Sequence, residues 1–177
     1  ELAGKTMGIV GMGSIVQAVC RIARAFGMPV VFENRSAKPQ LESDGVRQVS
    51  LDELLAVSDV VTLHAPATPE TDRMMNVQTI GRMKDGAYLL NTARGTLVDE
   101  QAVVDALRSG KLAGFAADVV SVEPMQPDNP LLQAKGQNII VTPHIAWATH
   151  EARERLLATV TANVGAFVEG APQNVVN

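Results

Sequence analysis

The strongest restriction on the fold of this chain comes from a short apolar strand that runs directly into a glycine turn. Residues 6–19 read TMGIVGMGSIVQAV, in which Ile9 and Val10 are typical of a parallel strand buried on both faces. Gly11 and Gly13 allow a tight turn and a close approach of the backbone to a ligand. A strand, a glycine turn and a helix in this order predict the first part of a βαβ unit.

The glycine turn also predicts an anion site. The amides that open a helix have no intrahelical acceptor, and the helix dipole is positive at that end. The spacing begins the dinucleotide fingerprint G-x-G-x-x-G, with Val16 at the last glycine position, so we expect a pyrophosphate to bind while the helix is displaced slightly outward. An ordinary tight turn is the alternative. The residues expected at the pyrophosphate are Gly11, Met12, Gly13, Ser14 and Ile15.

Strands and helices alternate along the rest of the chain. The further predicted strands span residues 29–32, 59–65, 86–92, 112–119 and 138–142. The predicted helices span residues 14–26, 51–55 (with Ser50 as N-cap), 77–83, 99–109 and 149–169, and residues 37–50 are polar in composition. This alternation predicts an α/β fold of the Rossmann type, a doubly wound and mostly parallel sheet in a single three-layer α/β/α domain over residues 1–177.

Composition and charge restrict the partners. The chain has 177 residues, 46% of them hydrophobic, with a net charge of -4 and no basic stripe, which argues against nucleic acid as the partner. No apolar run approaches the roughly 20 residues of a membrane span. Cys20 is the only cysteine, which excludes an internal disulfide and is compatible with the cytoplasm. We expect small molecules or other subunits as partners, and no metal site.

The end of the second strand should select the cofactor. Glu33 is suited to the free ribose diol of NAD, whereas Asn34, Arg35, Ser36 and Lys38 together resemble a clamp for the 2′-phosphate of NADP. The sequence therefore favours NADP slightly over NAD. The alternative is a solvated turn without a cofactor role.

Three later segments each carry an ionisable residue of a different kind. They are residues 91–95 (NTARG), 118–124 (DVVSVEP) and 142–147 (TPHIAW). Together with the glycine turn and the loop 63–66 (LHAP), in this order, they make the chain similar to the D-isomer-specific 2-hydroxyacid dehydrogenase family over nearly its whole length. The resemblance depends on the combination of segments, since each segment alone is weak evidence for the family.

The resemblance implies that Arg94, Glu123 and His144 carry the chemistry. An arginine can bind the substrate carboxylate through two parallel hydrogen bonds, and a histidine can exchange a proton with the carbonyl oxygen during hydride transfer. A carboxylate beside that histidine would fix the ring and favour its protonated form.

The resemblance also implies further neighbours of the cofactor. Asp118 matches the aspartate that holds the nicotinamide amide in the family. A tryptophan at the position of Trp147 resembles the subgroup that acts on hydroxypyruvate, glyoxylate or D-glycerate. The full set implied beyond the glycine turn and residues 34–36 is His64, Ala65, Pro66, Thr71, Thr92, Ala93, Arg94, Asp118, His144 and Ala146.

The activity implied is an NAD(P)-dependent hydride transfer between a small 2-oxo acid and a D-2-hydroxy acid, in a homodimer formed through the cofactor domain. Members of the family also have a substrate domain, mostly before the glycine turn. We therefore expect residues 1–177 to be the cofactor domain, residues 171–177 to lead back to the absent substrate domain, and the chain alone to be inactive. A dinucleotide-sensing module of the corepressor type and another Rossmann enzyme, such as an alanine dehydrogenase relative, are the alternatives.

Overall fold

The structure is a computed structural model that describes residues 1–43 and 45–176, and Ser14 only by its backbone. The chain divides into two compact units, Glu1–Pro143 and His144–Asn177, and each is described by itself.

A seven-stranded parallel sheet forms the centre of the first unit. The strands are β1 (Met7–Val10), β2 (Val30–Glu33), β3 (Val46–Gln48), β4 (Val60–Leu63), β5 (Ala87–Asn91), β6 (Leu112–Ala117) and β7 (Ile139–Val141). Their order in the sheet is β3-β2-β1-β4-β5-β6-β7, and every neighbouring pair is parallel. This order is the doubly wound arrangement, so the predicted fold class is confirmed.

In the part of the first unit that the structure describes, four helices connect these strands. They are α1 (Ser14–Ala25), α2 (Leu51–Val57), α3 (Val77–Arg82) and α4 (Glu100–Arg108), each at a position predicted from the sequence. Short 3-10 turns lie at Pro39–Leu41, Gly95–Leu97 and Pro130–Gln133. Ser50 caps α2 as predicted, because its side chain accepts the amide of Glu53.

Side chains that alternate along the strands fill two separate cores. Ile9 belongs to the core beneath α1, together with Val16 of that helix, whereas Val10 belongs to the core that contains Leu54 of α2 and Val103 of α4. Successive strand residues point to opposite faces of a sheet. Helices therefore cover both faces, which gives the predicted three layers.

The edge strand β3 was not among the predicted strands. It has three residues, and of these only Val46 is buried, while Arg47 is exposed and Gln48 is partly exposed. Since it contains no alternating apolar run, its pairing with β2 depends on the rest of the sheet.

Helix α1 has apolar side chains on two faces. Val16 and Ala23 pack into the core, whereas Ile15, Ile22 and Phe26 are 75%, 58% and 57% exposed. Helical spacing identified the helix but did not distinguish the buried face. Cys20 is half-buried, and burial raises the pKa of its thiol.

The second unit contains one long helix, α5 (His150–Val168), which is preceded by Thr149 as N-cap and followed by Glu169 as C-cap. These bounds agree with the predicted helix over 149–169. In the described part of the chain, no helix combines the length and the apolar character needed to cross a membrane.

Candidate cofactor and catalytic site

The glycine turn lies where the order of the strands reverses. β1 pairs with β2 on one side and with β4 on the other, so the connections from β1 and β4 leave in opposite directions. Gly11 has φ +89°, and a Cβ on it would lie 3.0 Å from the carbonyl of His64 and from the amide of Ala65. Only glycine combines this conformation with this contact. The turn therefore packs directly on the loop after β4, at the crevice where doubly wound sheets bind ligands.

Helix α1 differs from the other helices at its N-terminus. The described α2, α3, α4 and α5 each have a side chain that accepts amide hydrogens of the first turn, contributed by Ser50, Asn76, Asp99 and Thr149. The N-cap of α1 is Gly13, which has no side chain, and its first turn carries no acidic residue. Among the described side chains, none therefore compensates the free amides and the positive helix end at this cap.

There is room for a ligand above this helix end. A Cβ on Gly13 would meet no described atom within 4 Å, so the space at that position is open. An open space at an uncapped helix N-terminus is the arrangement that a pyrophosphate requires. The residues present at the glycine turn therefore fit a dinucleotide.

Asn34 connects the glycine turn to the loop after β2. The amide of Met12 donates to Oδ1 of Asn34 at 3.2 Å. Nδ2 of Asn34 donates to the backbone oxygen of Ser36 at 2.9 Å and to its Oγ at 3.1 Å. The side chain of Asn34 thus organises the loop.

Charges of both signs surround this loop. Arg35 is exposed and Lys38 is partly exposed, whereas burial raises the pKa of Glu33. A hydrogen bond from the Thr68 side chain, a hydrogen bond from its own amide and the charge of Arg35 lower the pKa of Glu70. Arg35 therefore has an acidic neighbour in the loop after β4.

The loop after β4 is held by its own side chains. Nε2 of His64 lies 3.0 Å from Oγ1 of Thr62, and burial lowers the pKa of His64, so its ring is neutral at pH 7. Oγ1 of Thr71 accepts the amide of Thr68 at 2.8 Å and donates to the oxygen of Pro66 at 2.7 Å. Thr71 thus closes the loop that begins with Ala65.

The turn after β5 presents Arg94 to solvent. Buried Asn91 accepts the amide of Ala93 at 3.1 Å and donates through Nδ2 to the oxygen of Arg94 at 2.9 Å, which fixes the backbone of this turn. Nη1 of Arg94 donates to the oxygen of Ala93 at 2.7 Å, and the side chain is exposed. Thr92 is also exposed.

The segments of Arg94 and Glu123 meet at Gly95. A Cβ on Gly95 would lie 1.9 Å from the carbonyl carbon and oxygen of Val120, so the two backbones are in direct contact. Oε1 of Glu123 accepts the amide of Val120 at 3.2 Å, Glu123 is exposed, and the bond to Pro124 is cis. The structure therefore brings together two of the three segments identified in the sequence.

A buried carboxylate supports the loop of Glu123. Glu100, at the start of α4, is 8% exposed. Its Oε1 accepts the amide of Ser121 at 2.8 Å, and its Oε2 accepts Oγ of Ser121 at 2.8 Å and Nδ2 of Asn129 at 2.9 Å. These three hydrogen bonds satisfy the charge and fix the backbone two residues before Glu123.

Asp118 follows β6 and is buried. Its Oδ1 accepts Oγ1 of Thr142 at 2.5 Å, and its amide donates to the oxygen of Asn91 at 3.0 Å. These contacts connect the ends of β5, β6 and β7. Asp118 is thus a rigid part of the carboxyl edge of the sheet.

His144 begins the second unit in an uncommon backbone conformation. Its φ is +54°, and its carbonyl oxygen accepts Nε1 of Trp147 at 2.9 Å. His144, Ala146 and Trp147 are exposed. Left-handed conformations of residues other than glycine occur often at functional sites.

The sequence analysis missed three side chains that organise the site. Asn91 lies in one of the three motif segments, but its role in fixing the turn was not predicted, although an asparagine at the end of a buried strand indicates a turn. Glu100 has the appearance of an ordinary acidic residue in a first helical turn, and Gln48 lies in a polar stretch, so neither offered a local signal. Among the described residues, no group of histidine, cysteine and acidic side chains is arranged to hold a metal ion.

Comparison with protein families gives one match. The model described as "D-isomer specific 2-hydroxyacid dehydrogenase, NAD binding domain" matches residues 1–146. A hydroxypyruvate reductase of Blautia hydrogenotrophica is 51% identical over 177 residues, which are 100% of this chain and 54% of that protein. A glycerate dehydrogenase of Methylorubrum extorquens is 44% identical over 99% of this chain and 54% of its own length. The chain thus spans about half the length of these relatives.

Solved structures show the same architecture. A protein of Thermus thermophilus superimposes with a TM-score of 0.91 at 47% identity, over 99% of this chain and 55% of that chain. A D-lactate dehydrogenase of Aquifex aeolicus, complexed with NAD and lactic acid, has a TM-score of 0.89 at 38% identity, over 97% of this chain and 55% of that chain. An acyclic imino acid reductase in complex with NADPH and D-arginine has a TM-score of 0.87 at 34% identity, over 100% of this chain and 55% of that chain. Similar structures therefore hold either cofactor, and the regulatory alternative gains no support from these proteins.

Proposed function

The chain belongs to the D-isomer specific 2-hydroxyacid dehydrogenase family, and from this premise we propose that it is the cofactor-binding part of an NAD(P)-dependent oxidoreductase. The substrate pair is a small 2-oxo acid and the corresponding D-2-hydroxy acid, of the hydroxypyruvate, glyoxylate or D-glycerate type. The names of the two relatives support this substrate class.

The observation that carries the proposal is the uncapped start of α1 at the reversal of strand order. Residues 11–15 hold the pyrophosphate there, because their amides and the positive helix end require an anion. Residues 34–36 contact the adenosine ribose. The remaining cofactor contacts are His64, Ala65, Pro66, Thr71, Thr92, Ala93, Arg94, Asp118, His144 and Ala146.

A nicotinamide cofactor, when bound, would supply or accept the hydride. Arg94 binds the substrate carboxylate, since its planar guanidinium can form two parallel hydrogen bonds with it. Arg94 is exposed in a turn that Asn91 fixes, so it is available for this task. Its charge also stabilises the negative charge that develops on the carbonyl oxygen.

His144 exchanges the proton at the carbonyl oxygen, as an acid in reduction and as a base in oxidation. Glu123 completes the proposed set of catalytic residues. Family membership supports both assignments, and the left-handed backbone of His144 is further support.

For the cofactor we propose a slight preference for NADP over NAD. Arg35 and Lys38 are positive and available to a 2′-phosphate, while Glu33 and Glu70 weaken the preference. We further propose that residues 1–177 form the dinucleotide-binding domain, that residues 171–177 lead to a substrate domain, and that the protein acts in the cytoplasm as a homodimer joined through the cofactor domain.

The first test is binding of NADH and NADPH, measured side by side by fluorescence titration. Both should bind, with NADPH slightly tighter. Gly13→Val should abolish binding of both without unfolding the protein, because its side chain enters open space that the pyrophosphate requires. Gly81→Ala, whose Cβ also meets open space but on α3, is the matched control and should bind normally. Wild-type protein that binds neither cofactor would overturn the proposal.

The second test follows oxidation of NADPH in the presence of hydroxypyruvate. We expect the 177-residue chain alone to turn over poorly, since exposed Arg94 and Glu123 remain in water, which weakens their electrostatic action. His144→Ala should remove the turnover that is measured, whereas the Kd for NADPH should rise far less than for Gly13→Val, because His144 is one of many proposed cofactor contacts. Turnover in the ordinary range of enzymes, about 1 to 1000 per second, would contradict the expectation for the isolated chain.

A further inference from the structure

One side chain on the edge strand holds three residues of the loop after β2. Nε2 of Gln48 donates to the backbone oxygen of Asn34 at 3.1 Å and to that of Ser36 at 3.1 Å. Oε1 of the same amide accepts the backbone amide of Lys38 at 2.7 Å. A single glutamine thus uses both donors and an acceptor on the segment 34–38.

The backbone of Gln48 is itself fixed. Gln48 is in register with Phe32 of β2, its amide donates to Oε1 of Glu42 at 2.8 Å, and the next amide, of Val49, donates to the oxygen of Phe32 at 2.9 Å. Phe32 is fully buried. The side chain therefore extends from a rigid part of the sheet to a loop that contains no regular secondary structure.

The contacts of Gln48 continue to the glycine turn. Asn34, whose carbonyl Gln48 binds, accepts the amide of Met12 through Oδ1 and donates through Nδ2 to Ser36. Gln48, Asn34 and Met12 thus form one connected set of hydrogen bonds. It joins the edge of the sheet to the turn at the start of α1.

We infer that Gln48 is a positioning residue that sets the discrimination between NADPH and NADH. It does so through the conformation of the loop 34–38, in which it fixes the residues before and after Arg35 and the backbone of Lys38. This inference rests on the proposed function, because it assumes that the loop faces the adenosine ribose.

The physical reason lies in what each cofactor needs from the loop. A 2′-phosphate requires Arg35, Ser36 and Lys38 to present their donors together, whereas a ribose diol needs fewer contacts. Without the glutamine amide, the backbone oxygens of Asn34 and Ser36 each lose one donor and the amide of Lys38 loses its acceptor. Nδ2 of Asn34 still binds Ser36, but the loop is held less firmly and samples other conformations. NADPH must then order the loop when it binds, and the loss of conformational entropy lowers its affinity.

The test compares the Kd values of NADPH and NADH for wild type, Gln48→Met and Gln48→Glu. Methionine keeps the length of the side chain and removes all three hydrogen bonds. Glutamate keeps the acceptor for Lys38 but places a carboxylate against two carbonyl oxygens. Arg47→Met is the matched control, because Arg47 is the adjacent residue on β3 and its side chain pairs with Glu53 instead.

We expect Gln48→Met to raise the Kd for NADPH about tenfold and the Kd for NADH less than about threefold, and Gln48→Glu to change the ratio in the same direction. The ratio of the Kd values of 2′,5′-ADP and 5′-AMP should change by the same factor as the ratio for NADPH and NADH, since these probes report on the ribose end alone. Arg47→Met should leave both ratios unchanged.

An equal rise for both cofactors, or no change in the ratio, would overturn the inference, because a purely structural role of Gln48 predicts one of these results. If Gln48→Met does not fold, as judged by its thermal transition, the ratio measured for Gln48→Ala decides, because alanine removes the same three hydrogen bonds without adding a charge. If wild type binds neither cofactor nor 2′,5′-ADP, the proposed function fails and the inference fails with it. Wild-type binding with an unchanged ratio in the variants rejects the inference alone.

Discussion

Gly95 packs against the backbone of Val120 so closely that a Cβ on Gly95 would lie 1.9 Å from the carbonyl carbon and oxygen of Val120. This contact joins the turn that carries Arg94 to the loop that carries Glu123. The arrangement of these two side chains therefore depends on a residue that has no side chain.

Gly95→Ala should destabilise the protein by about 1–3 kcal/mol, because the obstructing atoms belong to the backbone and cannot move without shifting the loop. Urea denaturation measures the effect. Gly81→Ala is the control, since its Cβ meets open space on α3 and removal of a helical glycine should stabilise by up to about 1 kcal/mol. A neutral Gly95→Ala variant would show that the contact is looser than described.

Glu100→Gln should cost about 1–3 kcal/mol in the free energy of unfolding. The carboxylate accepts three hydrogen bonds, and the amide of glutamine would direct a donor at the donors of Ser121 and Asn129. Asp105→Asn on the same helix is the control, because Asp105 is exposed and the change should stay within about 0.5 kcal/mol. Equal midpoints of unfolding for Glu100→Gln and Asp105→Asn would refute this role of the buried carboxylate.

Acidification should weaken the protein through His64. Burial lowers the pKa of this histidine in the folded state, so the unfolded chain binds more protons in the interval between the unfolded pKa, about 6.5, and the folded one. Stability is therefore fully present above about pH 6.5 and is lost as the pH falls through this interval. His64→Gln should remove that part of the pH dependence. The measurement is the difference between the urea midpoints of wild type and His64→Gln, taken at several pH values from 8 to 5. A difference that stays constant with pH would contradict the prediction.

Glu70→Gln should tighten the binding of NADPH about twofold to threefold at low ionic strength and leave the binding of NADH unchanged. Glu70 lies within electrostatic range of Arg35, and its charge repels a 2′-phosphate that Arg35 attracts. Because Glu70 is exposed, the gain should decrease as salt is added. Glu151→Gln, an exposed acid in the first turn of α5, is the control. The same effect of Glu70→Gln on both cofactors would place Glu70 away from the ribose.

The succession of strands and helices was predictable because it depends on neighbours in the chain. Ile9 and Val10 before Gly11 are sufficient to indicate β1 and its turn, and Ser50 and Thr149 identify the starts of α2 and α5. The doubly wound sheet then follows from the alternation of elements. The assignment of Arg94, Glu123 and His144 came from a family resemblance, and it stays a prediction.

Contacts between distant residues were not predictable. β3 has three residues with no apolar alternation, and it exists because β2 offers it a free edge. The hydrogen bonds of Gln48 reach back 10 to 14 residues, and those of Glu100 reach forward 21 to 29. No local pattern distinguishes these polar side chains from solvated ones.

The amino-acid sequence by itself determined where this chain forms strands, helices and the glycine turn, because hydrophobic period and backbone preference act over a few residues. Only the tertiary structure decided that Gln48 and Glu100 hold loops of the candidate site, since their partners become neighbours after the sheet has assembled. Burial then makes the hydrogen bonds of Glu100 necessary, because water is no longer available to replace a lost partner.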